Sequence, residues 1–89
     1  MIGDNERIVL FNSPTRVMKA ERLLRKAGLA CRMVPAPREV AEGCALALHF
    51  AISDQENIFH TLAAAKLMPK RLYGKRQGEL VAIVFSEET

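Results

Sequence analysis

Two stretches with helical periodicity set the order in which this chain can build its secondary structure. The first predicts a helix over residues 14–27, because Ser13 is a favourable N-cap and Pro14 suits the first helical position. Gly28 then provides a natural stop. The second stretch predicts a helix over residues 54–66. The apolar stripes are Val17, Ala20, Leu23, Leu24 and Ala27 in the first helix, and Ile58, Phe59, Leu62 and Ala65 in the second.

Short apolar segments precede, separate and follow these two helices. Strands are predicted over residues 6–11, 29–34, 44–50, 71–73 and 80–85. Ser53 and Glu56 have capping-box spacing at the start of the second helix. The resulting order, βαββαβ with an extra C-terminal strand, predicts an α+β ferredoxin-like sandwich with two helices on one face of an antiparallel sheet. We expect residues 1–89 to form a single domain.

The length and composition of the chain exclude several classes of protein. The longest apolar run, residues 80–85, has six residues, whereas a membrane-spanning helix needs about twenty. The polar, acidic start does not resemble a secretory signal, and two cysteines are too few for a disulfide scaffold. We therefore expect a cytoplasmic protein with free thiols and no membrane segment. His49 and His60 lack neighbouring ligands at metal-binding spacing, and no phosphate-binding loop is present, so no metal or cofactor is predicted.

The net charge is +3, and the basic residues are clustered. Seven basic residues and one acid, Glu21, lie between positions 16 and 38, while five basic residues and no acid lie between positions 66 and 76. Such clustering indicates either an acidic partner or a solvated basic face. A nucleic-acid partner ranks lower, because most aromatic residues fall at predicted core positions rather than on an exposed strand face.

The two cysteines occupy different positions in the predicted elements. Cys31 lies in the middle of a strand, where a free cysteine is usually a small core residue. Cys44 follows Gly43 at a junction between loop and strand, six residues after Arg38. A nearby cation would lower the pKa of that thiol and raise its thiolate fraction. Leu46 would share a strand face with Cys44, so spacing alone leaves both a reactive and a core role open.

Four segments of the chain resemble a known family. They are LFNS at 10–13, KAERLL at 19–24 with Gly28 after it, VPAPREV at 34–40 and GCALALHF at 43–50. The most specific part is the P-x-P-R sequence followed by a cysteine that opens a strand. Together these segments resemble the selenium/sulfur (Se/S) carrier protein-like family of small bacterial and archaeal proteins, over about residues 7–73. Residues 74–89, with the C-terminal strand and tail, lie beyond the resemblance.

The resemblance implies a carrier protein rather than a stand-alone enzyme. It assigns the chalcogen-carrying thiol to Cys44, which would hold a persulfide or perselenide. Arg38 would stabilise the thiolate. The implied partners are a donor such as a pyridoxal-phosphate-dependent cysteine desulfurase and an acceptor protein. The family has glycine after the cysteine, whereas this chain has Ala45.

A second hypothesis does not involve transfer chemistry. Ferredoxin-like domains often form dimers through a sheet or a strand edge, with ligands at the interface. The strand predicted at 80–85 offers such an edge for a homodimer. The chain would then be a small interaction or ligand-sensing module.

Overall fold

The computed structural model describes residues 5–40 and 46–83. Its elements, in chain order, are β1 (Glu6–Leu10), α1 (Pro14–Lys26), β2 (Arg32–Pro35), β3 (Leu46–Ala51), a 3₁₀ turn (Ile52–Asp54), α2 (Gln55–Ala64), β4 (Arg71–Arg76) and β5 (Glu79–Ala82). The strands form one sheet in the order β2-β3-β1-β4-β5, and every neighbouring pair is antiparallel. The predicted α+β ferredoxin-like arrangement with an extra strand is therefore confirmed.

The ends of α1 follow the sequence signals. The Ser13 side chain accepts a hydrogen bond from the Arg16 amide at 3.4 Å, and Pro14 is the first helical residue. At the other end, the Leu29 amide donates to the Leu24 carbonyl at 2.9 Å, and Gly28 has a φ of +81°. This is a Schellman ending. It explains why β2 begins at Arg32 rather than at residue 29, because Leu29 completes the helix end.

The predicted capping box of α2 does not form. The chain leaves β3 through the 3₁₀ turn, which the Ile52 amide fixes by donating to the Asn5 carbonyl at 2.8 Å. Asp54 is the N-cap, but its backbone is already helical (φ −98°, ψ 0°) and its side chain makes no capping bond. A capping side chain needs an extended N-cap backbone, so the helix starts at Gln55 without one.

The C-terminal strand forms a hairpin with β4. Gln77 and Gly78 form the two-residue turn, and both have positive φ, 52° and 83°. That geometry is typical of the tight turns that suit the twist of antiparallel strands. β4 is longer than predicted, since it continues to Arg76. β5 begins one residue earlier than predicted, and residues 84 and 85 of the predicted strand lie outside the described residues.

The sheet has two unequal faces. The helix-covered core consists of Val9, Phe11, Val17, Ala20, Leu24, Leu48, Phe50, Ile58, Leu62 and Leu72. The opposite side has a smaller open-face cluster, made of Ile8, Leu10, Ala47 and Tyr73, against which Val34, Ala36, Val40 and Leu80 pack. The segment after β2 therefore contacts the face that the helices leave uncovered. Within residues 5–40 and 46–83, no helix is long and apolar enough to cross a membrane.

Candidate functional site

Arg38 lies in a turn between β2 and β3. The Val40 amide donates to the Pro37 carbonyl at 3.1 Å, which closes the turn. Ala36 and Val40 pack against the open-face cluster, while Arg38 and Glu39 are exposed. The two apolar residues thus hold the turn on the sheet, and the guanidinium of Arg38 extends from it toward solvent. Cys44, the other predicted site residue, lies outside the described residues.

The connection that contains Cys44 has well-packed ends. Val40 contacts the open-face cluster, and Leu46, the first residue of β3, packs against the helix-covered core. In the sequence, Cys44 is two residues before Leu46 and six after Arg38. The chain therefore leaves one face of the sheet at Val40 and meets the other at Leu46.

The end of the sheet at which β3 begins is rich in basic residues. We call it the entry end of β3. Leu10 pairs with both Ala47 and Arg71 there, so Arg71 is two strand spacings, roughly 10 Å, from Ala47. The Lys70 amide donates to the Leu10 carbonyl at 2.7 Å. The Arg16 guanidinium donates to the Lys66 carbonyl at 3.2 Å. Both basic clusters of the sequence thus contribute cations to this end, and α1 begins beside it.

Cys31 has the properties of a packing residue. It directly precedes β2 rather than lying mid-strand, and it is half-buried against the helix-covered core. Burial raises the pKa of the Cys31 thiol; the Glu21 carboxylate raises it further, and Arg25 lowers it in part. A raised pKa leaves little thiolate near neutral pH, and the thiolate is the nucleophilic form. Cys31 is therefore poorly suited to nucleophilic chemistry.

The two histidines differ from each other in environment. His60 is exposed on α2. His49 is half-buried, and its Nε2 lies 3.0 Å from Oε1 of Glu6. Strand register explains the contact, because His49 pairs with Ile8 and Ala51 pairs with Glu6. Forty-three residues separate the partners in sequence, so no local pattern could have revealed the pair.

The Glu6–His49 pair lines a cleft on the open face of the sheet. The cleft has a volume of about 350 Å³, and Arg32, Ile8 and Val34 also line it. Its lining combines one acidic side chain, Glu6, and two basic side chains, Arg32 and His49, with apolar residues such as Ile8 and Val34. Within the described ranges, no three histidine, cysteine, aspartate or glutamate side chains lie close enough together to hold a metal ion.

The sequence of the chain matches a known protein family. The family described as "Putative Se/S carrier protein-like" matches residues 6–74. This range includes Arg38, the P-x-P-R sequence and Cys44, and it ends inside β4, before the β5 hairpin strand. No curated protein and no solved structure shows significant similarity to the chain. The match covers well over half of the sequence, and the chain therefore belongs to the Se/S carrier protein-like family.

Proposed function

We propose that Cys44 carries a sulfur or selenium atom between a donor enzyme and an acceptor. The family match, which spans both Arg38 and Cys44, is the observation that carries this proposal. The contrast with Cys31 supports it. Burial raises the pKa of the Cys31 thiol, so the other cysteine of the chain is the better candidate for a nucleophile.

The transfer needs no external oxidant or reductant. The Cys44 thiolate attacks the outer sulfur of a donor persulfide and forms a new S–S bond. The donor's own S–S bond breaks, and its electron pair leaves with the donor cysteine as a thiolate. Cys44 then holds the group as S–SH, or as S–SeH when the outer atom is selenium. An acceptor nucleophile attacks that outer atom and releases the Cys44 thiolate.

The basic residues around this part of the chain fit such a role. Arg38 is exposed six residues before Cys44, and Arg16, Lys66, Lys70 and Arg71 lie at the entry end of β3. Cations near a thiol lower its pKa and favour the thiolate. They would also attract acidic surfaces of a donor or acceptor, which speeds encounter more than it tightens binding.

Persulfide loading tests the proposal directly. The protein is incubated with a cysteine desulfurase and L-cysteine, and its intact mass and peptides are measured. We expect a reductant-reversible gain of one sulfur on Cys44. Cys44→Ser should abolish the gain, whereas Cys31→Ser, the matched control, should load like the wild-type protein. A sulfur located on Cys31, or equal loading of both variants, would contradict the proposal.

The role of Arg38 has its own test. Arg38→Gln should slow loading by about threefold to tenfold, because a nearby positive charge is lost from the thiolate. Arg22→Gln removes the same charge from an exposed position on α1 and should change the rate by less than about twofold. Equal loading rates for the two variants would contradict a role for Arg38, and they would not affect the assignment of Cys44.

The dimer hypothesis also has an observation in its favour. β5 is the outermost strand on its side of the sheet, and within the described residues its outer edge pairs with no other strand. An open edge can pair with the same strand of a second copy. Light scattering at micromolar concentration should then give a dimer mass, and a monomer would contradict this hypothesis without affecting the carrier proposal.

A further inference from the structure

Arg7 lies on the helix-covered side of the sheet, far along the strand from the entry end of β3. Its Nε donates to Oε1 of Gln55, the first residue of α2, at 3.2 Å. The bond fixes the direction of the guanidinium and leaves both Nη groups for other partners. Arg7 forms no ion pair within the described part of the chain. A half-buried, oriented cation without an acid is an uncommon arrangement.

Gly74 provides the space that the Arg7 guanidinium occupies. Arg7 and Gly74 are register partners on β1 and β4. A Cβ at position 74 would lie 2.5 Å from Arg7 Nη1 and 2.8 Å from Cδ1 of Ile83, both too close for real contacts. Gly74 is not among the residues with positive φ. The lack of a side chain, and not backbone freedom, is therefore what this position uses.

The guanidinium borders a polar cleft of about 410 Å³. Its lining residues are Arg7, Gly74, Lys75, Arg76, Val81, Ala82 and Ile83, of which three are basic and none is acidic. Glu79 is the register partner of Arg76, yet the two form no ion pair in the described ranges. The cleft thus concentrates positive charge around one fixed guanidinium.

We propose that this cleft binds a small dianion of the phosphate class, either inorganic phosphate or a small phosphomonoester. A guanidinium with both Nη groups available can donate two parallel hydrogen bonds to two phosphate oxygens. Arg76, two residues after Gly74 and on the same face of β4, supplies the second positive charge that a dianion requires. The site is distant in the chain from Cys44 and does not depend on the carrier proposal.

An NMR titration of the full-length protein with sodium phosphate tests this site. Ionic strength is held constant with sodium chloride, and a second titration uses phosphoserine. We expect saturable shifts of the Gly74 amide and of the Arg7 Nε–H signal. Tighter binding of phosphoserine than of phosphate would identify a phosphomonoester as the ligand, and equal binding would identify the free ion.

Three variants separate this site from general surface charge. Arg7→Gln should weaken binding by about tenfold or more, because it removes the bidentate donor. Arg22→Gln, which removes one exposed charge from α1, should weaken it by less than about twofold. Gly74→Ala keeps every charge but displaces the guanidinium, and should weaken binding by about fivefold or more. If Gly74→Ala fails to fold, Arg7→Lys replaces it. Lysine keeps the positive charge but lacks the paired N–H donors of the guanidinium, so it should weaken binding to the same extent.

Specific results would overturn the proposal. One is a shift that chloride alone reproduces, or that never saturates with phosphate. Another is equal weakening by Arg7→Gln and Arg22→Gln, which would assign the effect to overall charge. A third is RNA binding that is much tighter than phosphate binding and that Arg7→Gln and Arg22→Gln weaken equally. That result would indicate a nucleic-acid surface instead.

Discussion

The two faces of the sheet differ in how their residues are used. On the helix-covered face, ten buried side chains form one continuous core; nine come from β1, β3, β4 and both helices, and Phe11 directly follows β1. On the open face, the buried cluster has four members, and part of its cover is the turn that contains Arg38. The covered face is built from regular elements packed on each other. On the open face, a loop covers part of the cluster, and polar groups such as Glu6 and His49 lie beside it.

The difference indicates how a chain of 89 residues divides its tasks. A domain of this size buries limited apolar area, so most of its stability must come from one well-packed layer. Loops held on a rigid scaffold are the usual location of reactive and binding residues. The turn at Arg38 is such a loop, since Val40 and Ala36 anchor it while its charged residues are exposed. We therefore expect the two faces to contribute unequally to the free energy of unfolding.

The largest effect is expected on the helix-covered face. Leu62 is 0% exposed and packs from the last turn of α2 against the core. Leu62→Ala should lower the free energy of unfolding by about 2–5 kcal/mol, since it removes buried methyl groups and leaves a cavity. Urea denaturation followed by circular dichroism measures the change.

Leu80→Ala is the matched control on the open face. Leu80 is only partly buried at the edge of the open-face cluster, so the same substitution should cost only about 1 kcal/mol. Equal losses for the two variants would show that both faces are packed to the same extent, and the comparison would fail.

A smaller and more local effect is expected at Val40. Val40→Ala removes part of the contact that holds the Arg38 turn on the sheet, and should cost about 1 kcal/mol. The Val40 amide, which donates to Pro37, should exchange its hydrogen faster, while the amides of β3 exchange at nearly wild-type rates.

Val17→Ala provides the contrast for Val40. Val17 is 0% exposed in the helix-covered core, so its truncation should accelerate exchange throughout the sheet by lowering global stability. If Val40→Ala also accelerated exchange in β3, the turn would be part of the cooperative core and not a loop placed upon it.

The Glu6–His49 contact should contribute still less. His49→Ala is expected to cost less than about 1 kcal/mol, because Glu6 remains 37% exposed and solvent screens the interaction. Urea denaturation at low and high salt checks this value, and His60→Ala on the exposed face of α2 is the control. A loss above about 2 kcal/mol would show that this pair stabilises the open face as strongly as packing does.

Sequence periodicity predicted most of the fold because its signals are local. The stripe around Leu24 and Leu62 and the Ser13 cap depend on neighbouring residues, so they predicted both helices and the element order correctly. The predicted start of β2 was wrong because the Schellman ending of α1, with its Leu29–Leu24 hydrogen bond, uses a residue that the apolar pattern had assigned to the strand. The apolar pattern alone does not show whether Leu29 completes the end of α1 or begins β2.

Long-range contacts explain what the sequence did not reveal around the candidate sites. The residues Arg7, Gly74 and Gln55 come from three separate elements; strand register brings the first two together, and the packing of α2 on the sheet adds the third. Nothing near Gly74 in the sequence indicates that it accommodates an arginine. Arg38 and Cys44, by contrast, lie in one short segment, so a motif could predict them, and their joint role stays a prediction that persulfide loading tests.

The smallest effect is expected at Cys31, and it is a pH dependence of stability. Burial, reinforced by Glu21, raises the pKa of the Cys31 thiol above its ordinary value of 9.0. In the unfolded chain this thiol ionises near 9, whereas in the folded protein it stays neutral to higher pH. Its contribution to stability is therefore fully present below pH 9 and is lost as the pH rises through the folded pKa.

Wild-type protein should consequently lose more stability than Cys31→Ala between pH 8 and pH 10, since ionisation of the unfolded thiol favours unfolding in this range. Urea midpoints of both proteins, measured across that range, give the comparison. Cys44 is present in both chains, so its ionisation cancels. Parallel curves, separated only by the constant offset that altered packing produces, would mean that Cys31 ionises equally in the folded and unfolded states, and would contradict the protection of this thiol by burial in the helix-covered core.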